Sequence, residues 1–167
     1  MIQFNTKYWP VVYFFIDNEK MNEETFEEYK KNYLTLLLKC KKEKQKMILI
    51  SDLNNQNNLP LKYIMKQAYF NHKIHKFNED YVSLVCVYLN NDGFTKILDM
   101  YFSICKPCCP YKVCRTYDIV NEFIKEKTDI VFDTHVFKPL EAYTKNIHVE
   151  EHYKKIKKDL KDVSLNK

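Results

Sequence analysis

A chain of 167 residues with 46% hydrophobic and 15% aromatic residues is the size of one ordinary domain with its own core, and it is too apolar to be disordered. Its formal charge of +5 comes from lysine, and only Arg115, the lone arginine, could supply the fork that reads guanine and phosphate bidentately, so sequence-specific nucleic-acid binding is disfavoured. One glycine in the whole chain excludes P-loop and dinucleotide fingerprints, which need Gly where backbone approaches phosphate.

Abundant Lys and Asn beside one Gly, two Ala and one Arg match an A+T-rich coding sequence, and the positive charge is weighed accordingly. No apolar run nears the roughly 18 to 20 residues of a membrane span. The N-terminus shows no basic stretch followed by an apolar one, so no transmembrane segment is expected and a cytoplasmic location is.

The chain opens with two β-rich runs, Ile2 to Thr6 and Val11 to Asp17. They are expected to pair antiparallel, the second as an interior strand because it is apolar without a break from Val11 to Ile16, the first as an edge. A helix starts at Asn22, with Glu23 and Glu24 in its first turn, where carboxylates suit the helix dipole. Phe26, Tyr29, Tyr33, Leu36, Leu37 and Cys40 recur along it at helical spacing. Lys46 to Asp52, KMILISD, reads as the central strand, since Met47 to Ile50 are consecutively apolar, as a strand covered on both faces must be. Asp52 falls at its carboxyl end, where open α/β sheets keep their sites.

The loop LNNQNNL (53–59) leads to Pro60, expected at the first position of a helix reaching His75. Leu61, Ile64, Met65, Ala68, Tyr69 and His72 lie on one stripe of that helix and are expected to face the core. Tyr81 to Leu89 is the next interior strand. Asn90 to Gly93 break it, and a third helix carries Phe94, Ile97, Leu98, Tyr101, Phe102 and Cys105. KPCCP then turns the chain into a strand at Tyr111 to Arg115, and Asp118 to Lys127 form a fourth helix with Ile119, Phe123 and Ile124.

The order ββαβαβαβα predicts an α/β domain over residues 1–128, with a mixed, mostly parallel sheet and helices packed against it. Residues 129–167 read as a C-terminal extension. Its segment Asp129 to Leu140 is extended by pattern, and Val149, Tyr153, Ile156, Leu160 and Val163 form an apolar stripe on a Lys-rich helix. Two heptads are too few for a free coiled coil. The stripe, with Ile156 and Leu160 at its centre, is expected to dock on its own domain, on a second copy to make a homodimer, or on an anionic surface.

This order, the strand ILISDL, the helix opening LPLKYI and the turn KP…PYKV before the last strand and helix resemble a STAS or SpoIIAA-like domain, related in architecture to SEC14-type lipid-binding domains. The resemblance covers about residues 10 to 127, and with this composition the chain looks like the stand-alone domains of this kind encoded by giant DNA viruses, which would place it in the host cytoplasm. It implies a non-enzymatic protein-protein interaction module, with Asp52, Asn54, Asn55, Asn57 and Asn58 as contact residues. In the bacterial family a phosphorylatable serine follows the matching Asp in a D-S-S-G-type sequence. Here Leu53 and Asn54 stand there, so the phospho-switch is not expected. Ser51 is a poor substitute, because a strand hydroxyl has no helix N-terminus to receive phosphate. The alternatives are a small apolar ligand such as a lipid, bound between sheet and helices, or weak polyanion binding through Lys-rich faces.

Cysteine is the remaining source of chemistry. Cys105-x-x-Cys108 has a zinc-like spacing, and Cys105, Cys108 and Cys114 are the candidate ligands, but no second CxxC completes a tetrahedral set. Structural thiols are the preferred reading and no cofactor is expected. His72-x-x-His75 and His148-x-x-x-His152 have one-face helical spacing and read as surface or half-buried imidazoles. Neither a G-x-S-x-G elbow nor an H-E-x-x-H motif is present.

Overall fold

The computed structural model describes residues 2–16, 21–54, 60–89 and 95–131. The expected contact residues Asn55, Asn57, Asn58, Ile156 and Leu160, and the whole C-terminal helix, lie outside the described residues.

The elements run β1 (Ile2–Tyr8), β2 (Val11–Ile16), α1 (Glu23–Glu43), β3 (Met47–Asp52), α2 (Leu61–Lys73), α3 (His75–Tyr81), β4 (Val82–Tyr88), α4 (Thr95–Ile104), β5 (Tyr111–Cys114) and α5 (Tyr117–Lys127). The strands form one five-stranded sheet in the order β1-β2-β3-β4-β5, so β3 is central and β1 is an edge, as the apolar patterns predict. β1 pairs antiparallel to β2 with Phe4 opposite Phe14, and the other pairs are parallel. One row of the sheet therefore reads Tyr13, Ile50, Cys86, Lys112 across four strands.

Spatial order that repeats chain order has a consequence for the helices. Right-handed crossovers between successive neighbours put their helices on one face. Accordingly α1, α2 and α3 pack with Val12, Phe14, Met47 and Leu49, and Leu98 and Phe102 of α4 pack with Val85 and Val87 on the same face. Of the described helices, α5 alone packs on the opposite face, through Val120, Phe123 and Ile124 against Ile48, Ile50, Leu84 and Cys86. The alternation along β3, with Met47 and Leu49 to one side and Ile48 and Ile50 to the other, is what commits all four to a core.

Local signals position α1. Asn22 accepts from the Thr25 amide at 2.9 Å while the Thr25 hydroxyl accepts from the Asn22 amide at 2.9 Å, a capping box with Thr in the usual Glu or Gln place. The helix ends at Lys44 in the left-handed region at φ 54°, a position that usually takes glycine.

The stretch 60–81 differs from expectation. The helix stops at Lys73, and Ile74 (φ −104°, ψ 21°) turns the chain into the short α3, which takes Tyr81 so that β4 begins at Val82. Pro60 precedes the first helical residue instead of occupying it. The buried face of α2 is Tyr63, Ile64, Ala68 and Asn71, whereas Leu61 and Tyr69 are 52% and 54% exposed and His72 is exposed. The helix is rotated relative to its apolar stripe because Gln67 and Asn71 find buried tyrosine hydroxyls to bond, so two amides outcompete apolar residues for the inner face. No helix among the described residues is long and apolar enough to cross a membrane.

Candidate ligand-binding site

On the face covered by α1 to α4 the packing leaves a cavity of about 140 Å³. Its floor is the sheet, through Leu49, Ser51, Val85 and Val87, and β1 and β2 add Phe4 and Phe14. Rings form the walls: Tyr29 and Tyr33 of α1 stack with centroids 5.9 Å apart, and Tyr101 and Phe102 of α4 meet edge to face at 5.5 Å. The loop from Cys105 to Cys109 lies along the rim.

Polar groups enter this apolar space at defined points. Gln67 donates to the Tyr29 hydroxyl at 3.0 Å, Asn71 donates to the Tyr101 hydroxyl at 2.5 Å, and the Tyr33 hydroxyl donates to Asn78 at 3.0 Å. Burial pushes the Tyr29 phenol up to about 12 and lifts Tyr33 and Tyr101 well above the ordinary tyrosine value, so all three stay protonated. The Asn71 side-chain carbonyl oxygen alone among the described buried side chains has no hydrogen-bond partner, and the residue is 7% exposed. Buried amides rarely leave an oxygen unmatched.

Asp52 is placed elsewhere. It ends β3 as expected, but its carboxylate faces the α5 side, where it accepts from the Tyr13 hydroxyl and, at 3.0 Å each, from the backbone and side-chain amides of Asn54. The Tyr13 and Tyr117 hydroxyls are 3.2 Å apart, and Tyr117 stacks on Tyr88 at 4.4 Å. Burial, and then the bond to Asp52, raise the Tyr13 phenol, which is therefore a constant donor. The carboxylate thus pins the exit of the strand. It is Ser51, one residue earlier and on the opposite face, that reaches the cavity.

The cysteines divide in the same way. Cys105 and Cys108 line the cavity, but Cys114 lies beneath α5 beside Cys86, so the three candidate ligands are split between the two faces of the sheet. Among the described residues no three His, Cys, Asp or Glu side chains come together as a metal ion would need. Cys108 and Cys109 are half-buried neighbours, and the Cys109 thiol donating to Cys108 brings the Cys108 thiol down to about 7. His72 and His75 fall on different helices, because the break at Ile74 separates them.

The sequence reading missed Asn78 of α3 and two cavity residues of α2, Gln67 and Asn71. The available signal was the i, i+4 spacing of the α2 pair set against Tyr29 and Tyr33 at the same spacing on α1, since buried tyrosine hydroxyls call for polar partners. No protein family, curated protein or solved structure matches the chain.

Proposed function

We propose that the protein is a non-enzymatic binding module whose ligand is a small, mostly apolar molecule held between the sheet and helices α1, α2 and α4. The cavity carries this reading: an apolar chamber with a few convergent polar groups is the usual form of a small-molecule site. Its volume of about 140 Å³ limits the ligand. Drug-sized ligands occupy roughly 300 to 1,000 Å³, whereas an apolar cavity of about 150 Å³ takes benzene. A single-ring molecule fits this volume.

A ligand that binds only the folded chain raises its melting point. Toluene or phenol at millimolar concentration is expected to raise the melting temperature by a few degrees, and Leu98→Trp, which fills the cavity, to abolish the rise. No shift with either compound would overturn the reading.

The STAS-like contact reading keeps one specific support. The Asp52 to Asn54 bonds set the direction in which the chain leaves the central strand, as a contact loop requires. Native mass spectrometry separates the two readings, since it reports a small bound mass and a protein partner or homodimer in the same spectrum.

A further inference from the structure

We propose that Cys108 is a covalent modification site, where an α,β-unsaturated carbonyl compound bearing a single apolar ring is captured while the ring occupies the cavity. Such capture rests on the cavity being a ligand site, and it adds the bond by which a ligand is fixed there.

Placement comes first. Cys105, Cys108 and Cys109 all line the cavity, but Cys105 is only 7% exposed, whereas Cys108 and Cys109 are half-buried. The Cys109 side chain packs against the core beneath α1 to α3, which leaves Cys108 the easier thiol to approach. Negative charge on the Cys108 sulfur raises the phenols of both Tyr33 and Tyr101, so the sulfur lies within electrostatic reach of two hydroxyls of the cavity wall.

The loop that carries this thiol is braced at both ends. The Cys105 amide donates to the Tyr101 carbonyl of α4 at 2.9 Å, and the Pro110 carbonyl accepts from the Val85 amide of β4 at 3.0 Å. Pro107 and Pro110 flank the cysteine pair, and each fixes its own φ. A ring of benzene size fits a chamber of about 140 Å³. A thiol held at the rim can then meet the reactive end of a molecule whose ring is inside, which turns a collision into a step within a complex.

The neighbouring groups supply the nucleophile. The Cys109 thiol donates to Cys108 and Lys46 adds positive charge; burial and Glu79 oppose them, and Cys108 comes down to about 7. Conjugate addition asks little more of the site. The thiolate sulfur bonds to the alkene carbon β to the carbonyl, the π pair of the alkene shifts to the α carbon, and that carbon takes back, through water, the proton that the thiol released. One thiol and one alkene become one thioether, with no leaving group and no external oxidant.

The test uses the whole chain with N-phenylmaleimide and N-(2-hydroxyethyl)maleimide, and mass spectrometry locates the adducts. Each rate is divided by that of the same compound with glutathione, which removes the difference in intrinsic reactivity. The phenyl compound is expected to gain roughly tenfold over the hydroxyethyl one from burial of its ring, and to label Cys108 first. Leu98→Trp, which fills the cavity, should remove the gain and leave the hydroxyethyl rate unchanged. Excess toluene should do the same to the unaltered protein, so the comparison stands even if that variant fails to fold. Cys108→Ser should lose the fast adduct, and Cys109→Ser should keep it on Cys108.

Equal normalised rates for the two compounds would overturn the proposal. So would a phenyl gain that survives toluene, or a first adduct on Cys105 or Cys109. The melting temperature in toluene separates the two possible failures. If toluene raises it and the phenyl compound gains nothing, capture at Cys108 fails and the ligand site stands; if toluene leaves it unchanged and there is no gain, both fail.

Discussion

The two faces of the sheet differ at their centres. Under α5 the least exposed side chains are aliphatic groups and thiols, with Tyr13 and Phe123 beside them: Ile48, Ile50, Leu84, Val120 and Ile124 close around Cys86 and Cys114, each with 1% or less of its surface exposed. Under α1 to α4 aliphatic residues such as Val12, Leu37 and Met47 share the core with rings, and rings and amides line the cavity. Branched side chains adjust by rotamer and interdigitate to crystal-like density, whereas a ring tethered by its hydroxyl to an amide has little freedom to move into a gap. The centre of the first face is closed off from solvent, and the second face holds a cavity. Each face carries a hydrogen-bonded pair of thiols in which one is pushed up and the other drawn down: Cys86 up and Cys114 down under α5, Cys109 up and Cys108 down to about 7 at the cavity rim.

The largest expected effect breaks the closed face. Ile124→Ala should lose about 2 to 5 kcal/mol in chemical denaturation, because the side chain has no exposure and the hole cannot collapse. Enlargement sharpens the contrast. Val120→Phe under α5 should cost about 1 to 3 kcal/mol, while Leu98→Phe beside the cavity should be neutral or stabilising by up to about 1 kcal/mol. Equal losses from both would mean that the two faces are packed alike.

Alkylation compares the thiols directly. With iodoacetamide and mass spectrometry, Cys108 should be modified first, at a rate that climbs as pH rises through about 7, since the thiolate is the nucleophile. Cys40, Cys86 and Cys114 are fully buried and should react only when the chain unfolds.

The smallest effect concerns a tie between two helices on the cavity face. Glu23 at the start of α1 pairs with Lys66 at 2.6 Å and Lys62 at 3.0 Å of α2, and these lysines lower its carboxyl from 4.5 to about 2. A depressed folded value stabilises above the ordinary one, so this contribution is present above pH 4.5 and is lost as pH falls toward 2. The pair is exposed, so the wild-type melting temperature should fall only slightly more than that of Glu23→Gln over this range, and about 1 M salt should erase the difference.

Much of the fold was legible in the sequence because its signals were strong and local. The apolar runs of β2 and β3, the Asn22 cap and the helical spacing of Tyr29, Tyr33 and Leu37 each report burial directly. The face of the site was less legible. A strand apolar at four consecutive positions does not say which side holds a cavity, nor that Ser51 lines it while Asp52 bonds to Tyr13 on the other face. The rotation of α2 was hidden for a related reason. Hydropathy counts Gln67 and Asn71 as outward residues, and only the tyrosine hydroxyls of other helices turn them inward.

The sheet's spatial order also bears on how the chain assembles. Each parallel pairing joins a strand to the one before it in the chain, so no strand has to be inserted between two that are already in place. Such pairing keeps contacts closer in sequence than an interleaved sheet does, and that favours faster folding. A chain growing from its N-terminus can lay each strand on the edge left by the last, leaving the newest strand as the open template at every stage. Among the described strands that series ends with β5, which is four residues long and places Lys112 at its exposed edge; brevity and lysine are both means by which proteins stop a sheet from recruiting another chain.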